Sequence, residues 1–289
     1  MAVASFRFEV NPTQESPLTD SVLKTEPVFK ESTMLEILQI PVLQDNYIYL
    51  IHEPNGWATA AIDPALAEPV LRALDAKGWT LTHILNTHHH GDHVGGNIEL
   101  KRKTGCAIVA MARDKERIPG IDVEVSEGDI IGLGHAEARV LDVPGHTSGH
   151  IAFWFVGESA LFCGDALFGL GCGRLFEGHA EEMWASLEKI RALPPSTRIY
   201  CAHEYTQANG RFALEIEPEN QALQERMVQV AKLRQQGLPT VPSLLGDELA
   251  TNPFLRPHSP EIRHRLGLED AADWRVFAEI RHRKDSFRG

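Results

Sequence analysis

Short apolar runs bounded by polar and turn residues fill the chain from Met34 to about residue 207, a pattern typical of β-strands. The runs are LEILQIPV, NYIYLI, WATAAID, LTHILNT, AIVAM, ARVLDV, IAFWFV, ALFCGD and RIYCAH. Two stretches have helical periodicity instead: EPVLRALDAKG, which we expect to end at Gly78, and AEEMWASLEKI. Residues 34–207 are therefore predicted to form a mixed α/β domain.

Beyond about residue 207 the pattern is that of helices alone. Apolar side chains recur there every three or four residues, as in Leu223, Met227, Val230 and Leu233 and again in Trp274, Phe277 and Ile280. We predict a helical domain over residues 208–289.

Residues 1–33 differ from both predicted domains. They mix prolines with polar residues and contain no apolar segment of a secretory signal. Acidic residues outnumber basic ones, which argues against an organelle transit peptide. We predict a flexible extension, either the product of an upstream start codon or a segment that docks on the domain.

Composition restricts the class of protein. The net charge of −12 argues against a nucleic-acid or anionic-membrane surface, and no apolar run approaches the roughly 20 residues that span a bilayer. The four cysteines contain no CxxC pair, which suits a reducing compartment. We therefore expect a cytoplasmic protein, and we expect it to be a monomer.

A dense histidine cluster, THHHGDH, occupies residues 87–93 directly after the predicted strand LTHILNT. His88 and His90 are two residues apart, so in an extended chain their side chains point to the same face. Three further residues of metal-ligand type follow apolar strands in the same way: His146 in PGHTSGH, Asp165 in FCGDALF and His203 in YCAHEY. We expect one edge of a sheet to bring them together.

The set suits a dinuclear metal site. His88, His90 and His146 match a three-histidine site that leaves a coordination position open for water. Two metal ions about 3.5–4 Å apart are a familiar hydrolytic arrangement. Zinc is the first expectation, and iron or manganese would also bind histidine and aspartate ligands.

The remaining ligands would form the second half of this site. Asp92, His93 and His203 would hold the second ion, and Asp165 would bridge the two ions. Asp92 and Asp165 are also the predicted catalytic carboxylates. Ions held in this way would lower the pKa of a shared water, which could then attack a carbonyl carbon.

Several motifs carry a family resemblance. THHHGDH, GHTSGH, CGDALF and AHEYT together resemble the metallo-β-lactamase superfamily. The chain from Met34 to Gly289 resembles more narrowly the hydroxyacylglutathione hydrolases, or glyoxalase II enzymes, through GCGRLFEG, HEYT, NPFLRP and RHRKDSF. The resemblance implies a four-layer αββα sandwich with a C-terminal helical domain that helps to bind glutathione.

The same resemblance implies a substrate and its contacts. The enzyme would hydrolyse S-2-hydroxyacylglutathione, such as S-D-lactoylglutathione, to glutathione and a 2-hydroxy acid, the second step of methylglyoxal detoxification. The positions that match glutathione-binding residues are Arg174, Phe176, Tyr205, Arg281 and Lys284. Arg281 and Lys284 are three apart in a predicted helix and share a face. Phe176 stands where some relatives carry tyrosine.

Other functions fit part of the pattern. A β-lactamase of this superfamily would carry cysteine in place of Asp165, and a sulfur dioxygenase would use one iron and fewer ligands. A lactonase or a non-enzymatic metal-dependent binding module would also use such a cluster. Three residues near the motifs have two interpretations each, as support for the ligands or as ordinary packing and capping residues: Asp63, His89 and His150.

Overall fold

Two packed β-sheets form the centre of the fold in a computed structural model that describes residues 5–6 and 35–288. The strands, in chain order, are β1 (Ser5–Phe6), β2 (Glu36–Val42), β3 (Asn46–Glu53), β4 (Ala58–Ile62), β5 (His83–Leu85), β6 (Ala107–Met111), β7 (Val123–Val125), β8 (Ile130–Leu133), β9 (Ala136–Asp142), β10 (Ile151–Phe155), β11 (Ala160–Gly164), β12 (Leu167–Phe168), β13 (Gly171–Cys172), β14 (Arg198–Cys201) and β15 (Ser243–Leu244).

The helices cover the sheets and build the C-terminal part. They are α1 (Ala67–Lys77), α2 (Gly91–Val94), α3 (Asn97–Thr104), α4 (Ala180–Arg191), α5 (Thr206–Ile216), α6 (Gln221–Gln235), α7 (Leu245–Thr251), α8 (Pro260–Leu266) and α9 (Asp273–Ser286). Helix α1 ends as the sequence predicts, because Gly78 adopts the left-handed conformation, with φ 66°, that caps many helices.

Each sheet mixes parallel and antiparallel neighbours. The first has the strand order β2-β3-β4-β5-β6-β7, antiparallel from β2 to β4 and parallel from β4 to β7. The second has the order β1-β8-β9-β10-β11-β14-β15. A separate hairpin pairs β12 with β13.

Alternating side chains of β3 show how the layers are arranged. Ile48 and Leu50 belong to one buried cluster with Val70 of α1, on the outer side of the first sheet. Tyr49 belongs to the other cluster and meets Phe162 of the second sheet, with ring centroids 5.5 Å apart. Because successive side chains of a strand point to opposite faces, β3 lies between a helical layer and the second sheet.

A second helical layer completes the sandwich. Met183 and Leu187 of α4 and Phe277 of α9 share one continuous core with Leu161 and Ile199 of the second sheet. Apolar area removed from water stabilises such a core by about 25 cal/mol per Å². The predicted αββα arrangement with helices at the C-terminal end is therefore confirmed.

Some elements were not predicted from the sequence. The strands β7, β8, β12, β13 and β15 are two to four residues long, too short for a clear alternation. The last of them, Ser243–Leu244, lies in the part predicted to be helical and pairs antiparallel with β14.

The predicted flexible extension, residues 1–33, falls outside the described residues except for Ser5–Phe6. These two residues pair in parallel with Ile130 and Ile131 at the edge of the second sheet. Within the described part of the chain, no helix is long and apolar enough to cross a bilayer.

Candidate metal centre

Every predicted metal ligand lies just beyond the end of a strand or in the short helix α2. His88 and His90 follow β5, His146 follows β9, Asp165 follows β11 and His203 follows β14. The ends of these strands meet where the two sheets join. There the main-chain N–H of Tyr47 donates to the carbonyl of Ala202 at 2.7 Å.

The first group of ligands consists of three imidazoles. Nε2 of His88 lies 3.0 Å from Nδ1 of His90, and Nε2 of His146 lies 3.2 Å from the same nitrogen. Zinc–nitrogen bonds are about 2.0–2.1 Å long, so two nitrogens on one tetrahedral ion are about 3.4 Å apart. Three imidazole nitrogens that converge at this spacing fit a single transition-metal ion.

The second group combines a carboxylate with two imidazoles. Oδ2 of Asp92 lies 3.7 Å from Nε2 of His93 and 3.6 Å from Nε2 of His203. These three residues offer ligand atoms that lie within 4.8 Å of one another. A nitrogen and oxygen donor set of this kind is suited to zinc, iron or manganese.

Asp165 lies between the two groups. Its Oδ1 is 3.6 Å from Nε2 of His93 and 3.4 Å from Nε2 of His203. Its Oδ2 is 3.4 Å from Nε2 of His146. Oδ1 of Asp165 and Nε2 of His93 are both buried, and neither has a hydrogen-bond partner among the described residues. Buried polar atoms need partners, and a cation held by the second group would satisfy both of these atoms.

Charge in the cluster also favours cations. Burial and neighbouring imidazoles hold the pKa of His88 well below its usual value, which leaves a neutral ring that can bind a metal. Burial would also lower the pKa of His93, but the carboxylates of Asp165, Asp63 and Asp92 raise that pKa to about 9. The second group therefore attracts positive charge, which a divalent ion would supply.

Asp63 orients His93. Its Oδ2 lies 3.0 Å from Nδ1 of His93, and its two oxygens accept hydrogen bonds from the main-chain N–H and the hydroxyl of Thr87, both at 2.7 Å. Asp63 also lies close to His88 and His93 as a possible ligand, but both its oxygens are already engaged. It therefore supports the ligands rather than capping a turn, and it leaves Nε2 of His93 free to bind.

Two other histidines are oriented through Nδ1 in the same way. Nδ1 of His203 lies 2.8 Å from Oδ1 of Asp45, and Nδ1 of His146 lies 2.8 Å from the carbonyl oxygen of Arg174. An acceptor at Nδ1 fixes the proton there and leaves Nε2 with its lone pair. In both rings Nε2 is the atom that faces Asp165.

The other two histidines near the motifs have distinct surroundings. His89 turns away from the ligands, because successive residues of an extended chain point to opposite faces. Its Nδ1 lies 3.4 Å from Asp114 and its Nε2 3.4 Å from Glu177.

His150 supports the bridging position. Its Nε2 accepts a hydrogen bond from the main-chain N–H of Asp165 at 3.1 Å, and its ring stacks on that of His88 with centroids 4.6 Å apart.

A cavity of about 470 Å³ adjoins the ligands. Its walls include His146 and Asp165 together with all five positions predicted to bind substrate: Arg174, Phe176, Tyr205, Arg281 and Lys284. Phe176 is 62% exposed, and its ring contacts those of His90 and His146, with centroids 5.7 and 5.2 Å apart. The ring of Tyr205 stacks on His203 with centroids 4.8 Å apart.

The two cations of α9 that line this cavity, Arg281 and Lys284, differ in their surroundings. Arg281 is only 5% exposed, and its guanidinium donates to Asp285 and to the carbonyl of Cys172. Lys284 is partly buried, and its ammonium donates to the carbonyl of Ala208 at 3.3 Å. Burial, together with the nearby arginines, lowers the pKa of Lys284 to about 8.

Sequence reasoning missed two residues of the hairpin between β2 and β3. Asp45 orients His203, and Nδ2 of Asn46 donates to Oδ2 of Asp92 at 2.9 Å. Both belong to the stretch QDNY, which has only the composition of a turn. No local pattern links that turn to histidines far along the chain.

Two sequence families match this chain, each over a different part of it. Residues 47–203 match the sequence family described as the metallo-beta-lactamase superfamily. Residues 204–287 match the family described as hydroxyacylglutathione hydrolase C-terminus.

Two relatives are similar over nearly the whole chain, and both are named hydroxyacylglutathione hydrolase. The protein of Methylococcus capsulatus is 68% identical over 256 residues, which are 89% of this chain and 100% of the relative. The protein of Rhodospirillum rubrum is 57% identical over 253 residues, which are 88% of this chain and 99% of the relative.

Solved structures share the fold. ETHE1 from Myxococcus xanthus superposes with a TM-score of 0.62 at 24% identity, over 86% of this chain and 90% of that one. The structure of TTHA1623 in a di-iron-bound form has a TM-score of 0.53 at 25% identity, over 76% of this chain and 100% of that one. The sequence matches place the chain in the hydroxyacylglutathione hydrolase family of the metallo-β-lactamase superfamily.

Proposed function

We propose that the metal ligands and the adjoining cavity together carry out hydrolysis of S-2-hydroxyacylglutathione, such as S-D-lactoylglutathione, to glutathione and the 2-hydroxy acid. One observation carries the proposal. A single cavity is lined both by His146 and Asp165 and by the cations Arg174, Arg281 and Lys284. Glutathione is anionic, and in a protein of net charge −12 it needs local cations of this kind.

Two divalent ions would be held by the two groups, with Asp165 as the ligand common to both. Ions bound there would supply a water of lowered pKa and a Lewis acid for the thioester carbonyl oxygen. Zinc remains the first expectation for the donor set. Iron is the leading alternative, supported by the similarity to a structure described as di-iron-bound.

The residues of the chain would hold and orient these ligands. Asp63, Asp45 and the carbonyl of Arg174 keep Nε2 of three histidines directed at the cluster. Asp92 is fixed by Asn46 and is partly exposed on its outer side. The thiolate leaving group has a solution pKa of about 8.5, so it can depart without a strong general acid.

The cavity walls would bind the glutathione part. Arg174 and Lys284 present charge to its carboxylates, and the exposed ring of Phe176 offers apolar contact beside the cluster. Tyr205 lines the same cavity next to His203. In this proposal residues 34–207 carry the metal site, and residues 208–289 complete the substrate site through α9.

The proposal is tested by hydrolysis of S-D-lactoylglutathione. We expect turnover by the zinc-loaded protein, loss of turnover after chelation and recovery when the metal is restored. A small thioester without glutathione should react far more slowly, because it makes no contact with the cations. Equal rates on the two substrates would contradict the assignment of the cavity to glutathione, and no hydrolysis of either would contradict the proposed reaction.

We also infer a monomer that acts in the cytoplasm. All four cysteines are free and buried, which suits a reducing compartment. Gel filtration and cell fractionation test these two points.

A further inference from the structure

A network of ion pairs adjoins the first group of candidate metal ligands through His89 and Ser148. Its centre is Glu177, one residue beyond Phe176. One carboxylate oxygen accepts from Nη1 of Arg117 at 2.6 Å. The other accepts from both the main-chain N–H and the hydroxyl of Ser148, each at 2.8 Å.

Arg117 extends the network to a buried carboxylate. Its Nη2 donates to the hydroxyl of Ser148 at 2.9 Å and to Oδ1 of Asp114. Asp114 is fully buried. His89 lies between the carboxylates of Asp114 and Glu177, 3.4 Å from each. The network therefore contacts three segments of the chain. His89 lies between two candidate ligands, Ser148 follows His146, and Glu177 follows Phe176 of the substrate site.

The segment that contains Glu177 also makes two hydrogen bonds to His146. The carbonyl of Arg174 accepts from Nδ1 of His146 at 2.8 Å, and the main-chain N–H of Phe176 donates to the carbonyl of His146 at 3.3 Å. Ser148, which Glu177 holds, is two residues beyond His146. Displacement of this segment would release the acceptor that fixes the tautomer of His146.

We propose that Glu177 is a positioning residue, which holds the segment of residues 174–178 against Ser148 and Arg117 and so fixes both His146 and the ring of Phe176. The charge of Glu177 is maintained in place, because Arg117 and Ser148 outweigh burial and lower its pKa to about 2. The effect on substrate binding rests on the proposed function, whereas the effect on metal binding does not.

The contribution of Glu177 to folding stability can be separated from its effect on the position of the metal ligands. The side chains of Glu177 and Arg117 are 29% and 34% exposed, and partly exposed ion pairs contribute little to folding. Loss of the charge should therefore shift the melting temperature of the metal-free protein by no more than about 2–4 °C. Loss of a group that supports a metal ligand typically weakens metal binding by about 10–100-fold.

The test compares Glu177→Gln with Glu181→Gln, a matched control that removes the same charge from an exposed position at the start of α4. Zinc affinity is measured by competition with a chelating indicator that resolves the two equivalents. We expect Glu177→Gln to weaken the binding of one zinc equivalent about tenfold, the low end of the 10–100-fold range given above. We also expect it to raise KM for S-D-lactoylglutathione. Glu181→Gln should match the wild type in both measurements.

The proposal is overturned if Glu177→Gln binds both zinc ions as the wild type does and keeps its KM. If Glu177→Gln does not fold, the Ser148→Ala variant replaces it in the test. This variant removes one donor to Glu177 and should weaken binding of the same zinc equivalent to a smaller degree. Unchanged zinc affinity and KM in Ser148→Ala would then overturn it. If the wild type itself fails to hydrolyse the thioester, the proposed function fails, while zinc competition still tests Glu177.

Discussion

Asp285 accepts two hydrogen bonds from the guanidinium of Arg281, from Nε at 3.1 Å and from Nη2 at 2.9 Å. The pair lies on one turn of α9 beside the cavity. Arg281 is predicted to bind the glutathione part, yet a carboxylate of the protein already occupies two of its donors. Nε of Arg174 is 4.0 Å from the same carboxylate oxygen. Asp285 therefore places negative charge between two cations expected to attract the substrate.

The first prediction concerns that charge. Asp285→Asn keeps an oxygen acceptor for Arg281 and removes the competing charge. Partly exposed charges interact by about 0.2–1 kcal/mol, so KM for S-D-lactoylglutathione should fall by up to about fivefold, with kcat little changed. Steady-state kinetics at low salt measure this. A higher KM would mean that Asp285 serves mainly to hold Arg281 in place.

The second prediction separates the two roles of Arg281. Arg281→Ala would leave the carbonyl of Cys172 and the carboxylate of Asp285 without their donor, at about 1–3 kcal/mol for a buried unsatisfied acceptor. For a chain of this size each kcal/mol lowers the melting temperature by about 2–4 °C. We therefore expect a lower melting temperature together with a higher KM. A melting temperature equal to that of the wild type would show that the buried contacts of Arg281 contribute little.

The candidate metal ligands could be picked out from the sequence because each carries a local signal. His88, His90 and Asp92 belong to one compact motif, and His146 and His203 each follow an apolar strand. Parallel and neighbouring strands bring such ends to one edge of a sheet. Local sequence patterns were therefore enough to predict that these residues lie close together. The layer arrangement was predictable only through the resemblance to the metallo-β-lactamase superfamily, since the strand pattern by itself indicates no more than a mixed α/β domain.

Partner choice could not be predicted in this way. Arg117 and Glu177 are 60 residues apart, and Asp45 and His203 are 158 apart. A charged residue in a loop has many possible partners, and only the folded chain selects one. The burial of Arg281 was missed for a related reason: the sequence places it on a helix face, but packing against Cys172 and Phe254 decides its exposure.

The third prediction concerns the tautomer of His93. Asp63→Asn can place an amide N–H, instead of a carboxylate oxygen, against Nδ1 of His93. The ring would then carry its proton on Nε2, the atom that faces Asp165. Loss of such an orienting partner should weaken the binding of one metal ion by about 10–100-fold.

Chelator competition on the purified variant measures this loss, with Asp75→Asn, at an exposed position of α1, as the control. Full retention of both ions by Asp63→Asn would show that Asp63 does not set the tautomer.

The fourth prediction tests the bridging role of Asp165. Its two oxygens face different groups, so Asp165→Ala removes a ligand from both ions at once. Bound metal should fall from about two ions per chain toward one or fewer, and activity should be nearly lost. Elemental analysis of the purified variant, with circular dichroism to check folding, measures this. A fully active Asp165→Ala protein that retains two ions would contradict the dinuclear assignment.

The last prediction uses the pKa of Lys284, which burial and the neighbouring arginines lower to about 8. The protonated ammonium is the form that would bind a substrate carboxylate, and it is present below that pKa. The ratio kcat/KM, which reports the free enzyme, should therefore fall as pH rises through about 8. Lys284→Arg should remove this fall in kcat/KM, because a guanidinium stays charged throughout this range of pH.

Lys284→Ala should raise KM by about 10–100-fold at pH 7 with kcat little changed, since a contact made equally in ground and transition states affects binding alone. A small thioester without glutathione is the control, and its slow hydrolysis should not respond to either substitution. An unchanged KM in Lys284→Ala would show that the ammonium does not touch the substrate. Lys284 would then no longer support glutathione as the ligand of this cavity, and the substrate assignment would rest on the remaining cations, on family membership and on the metal cluster.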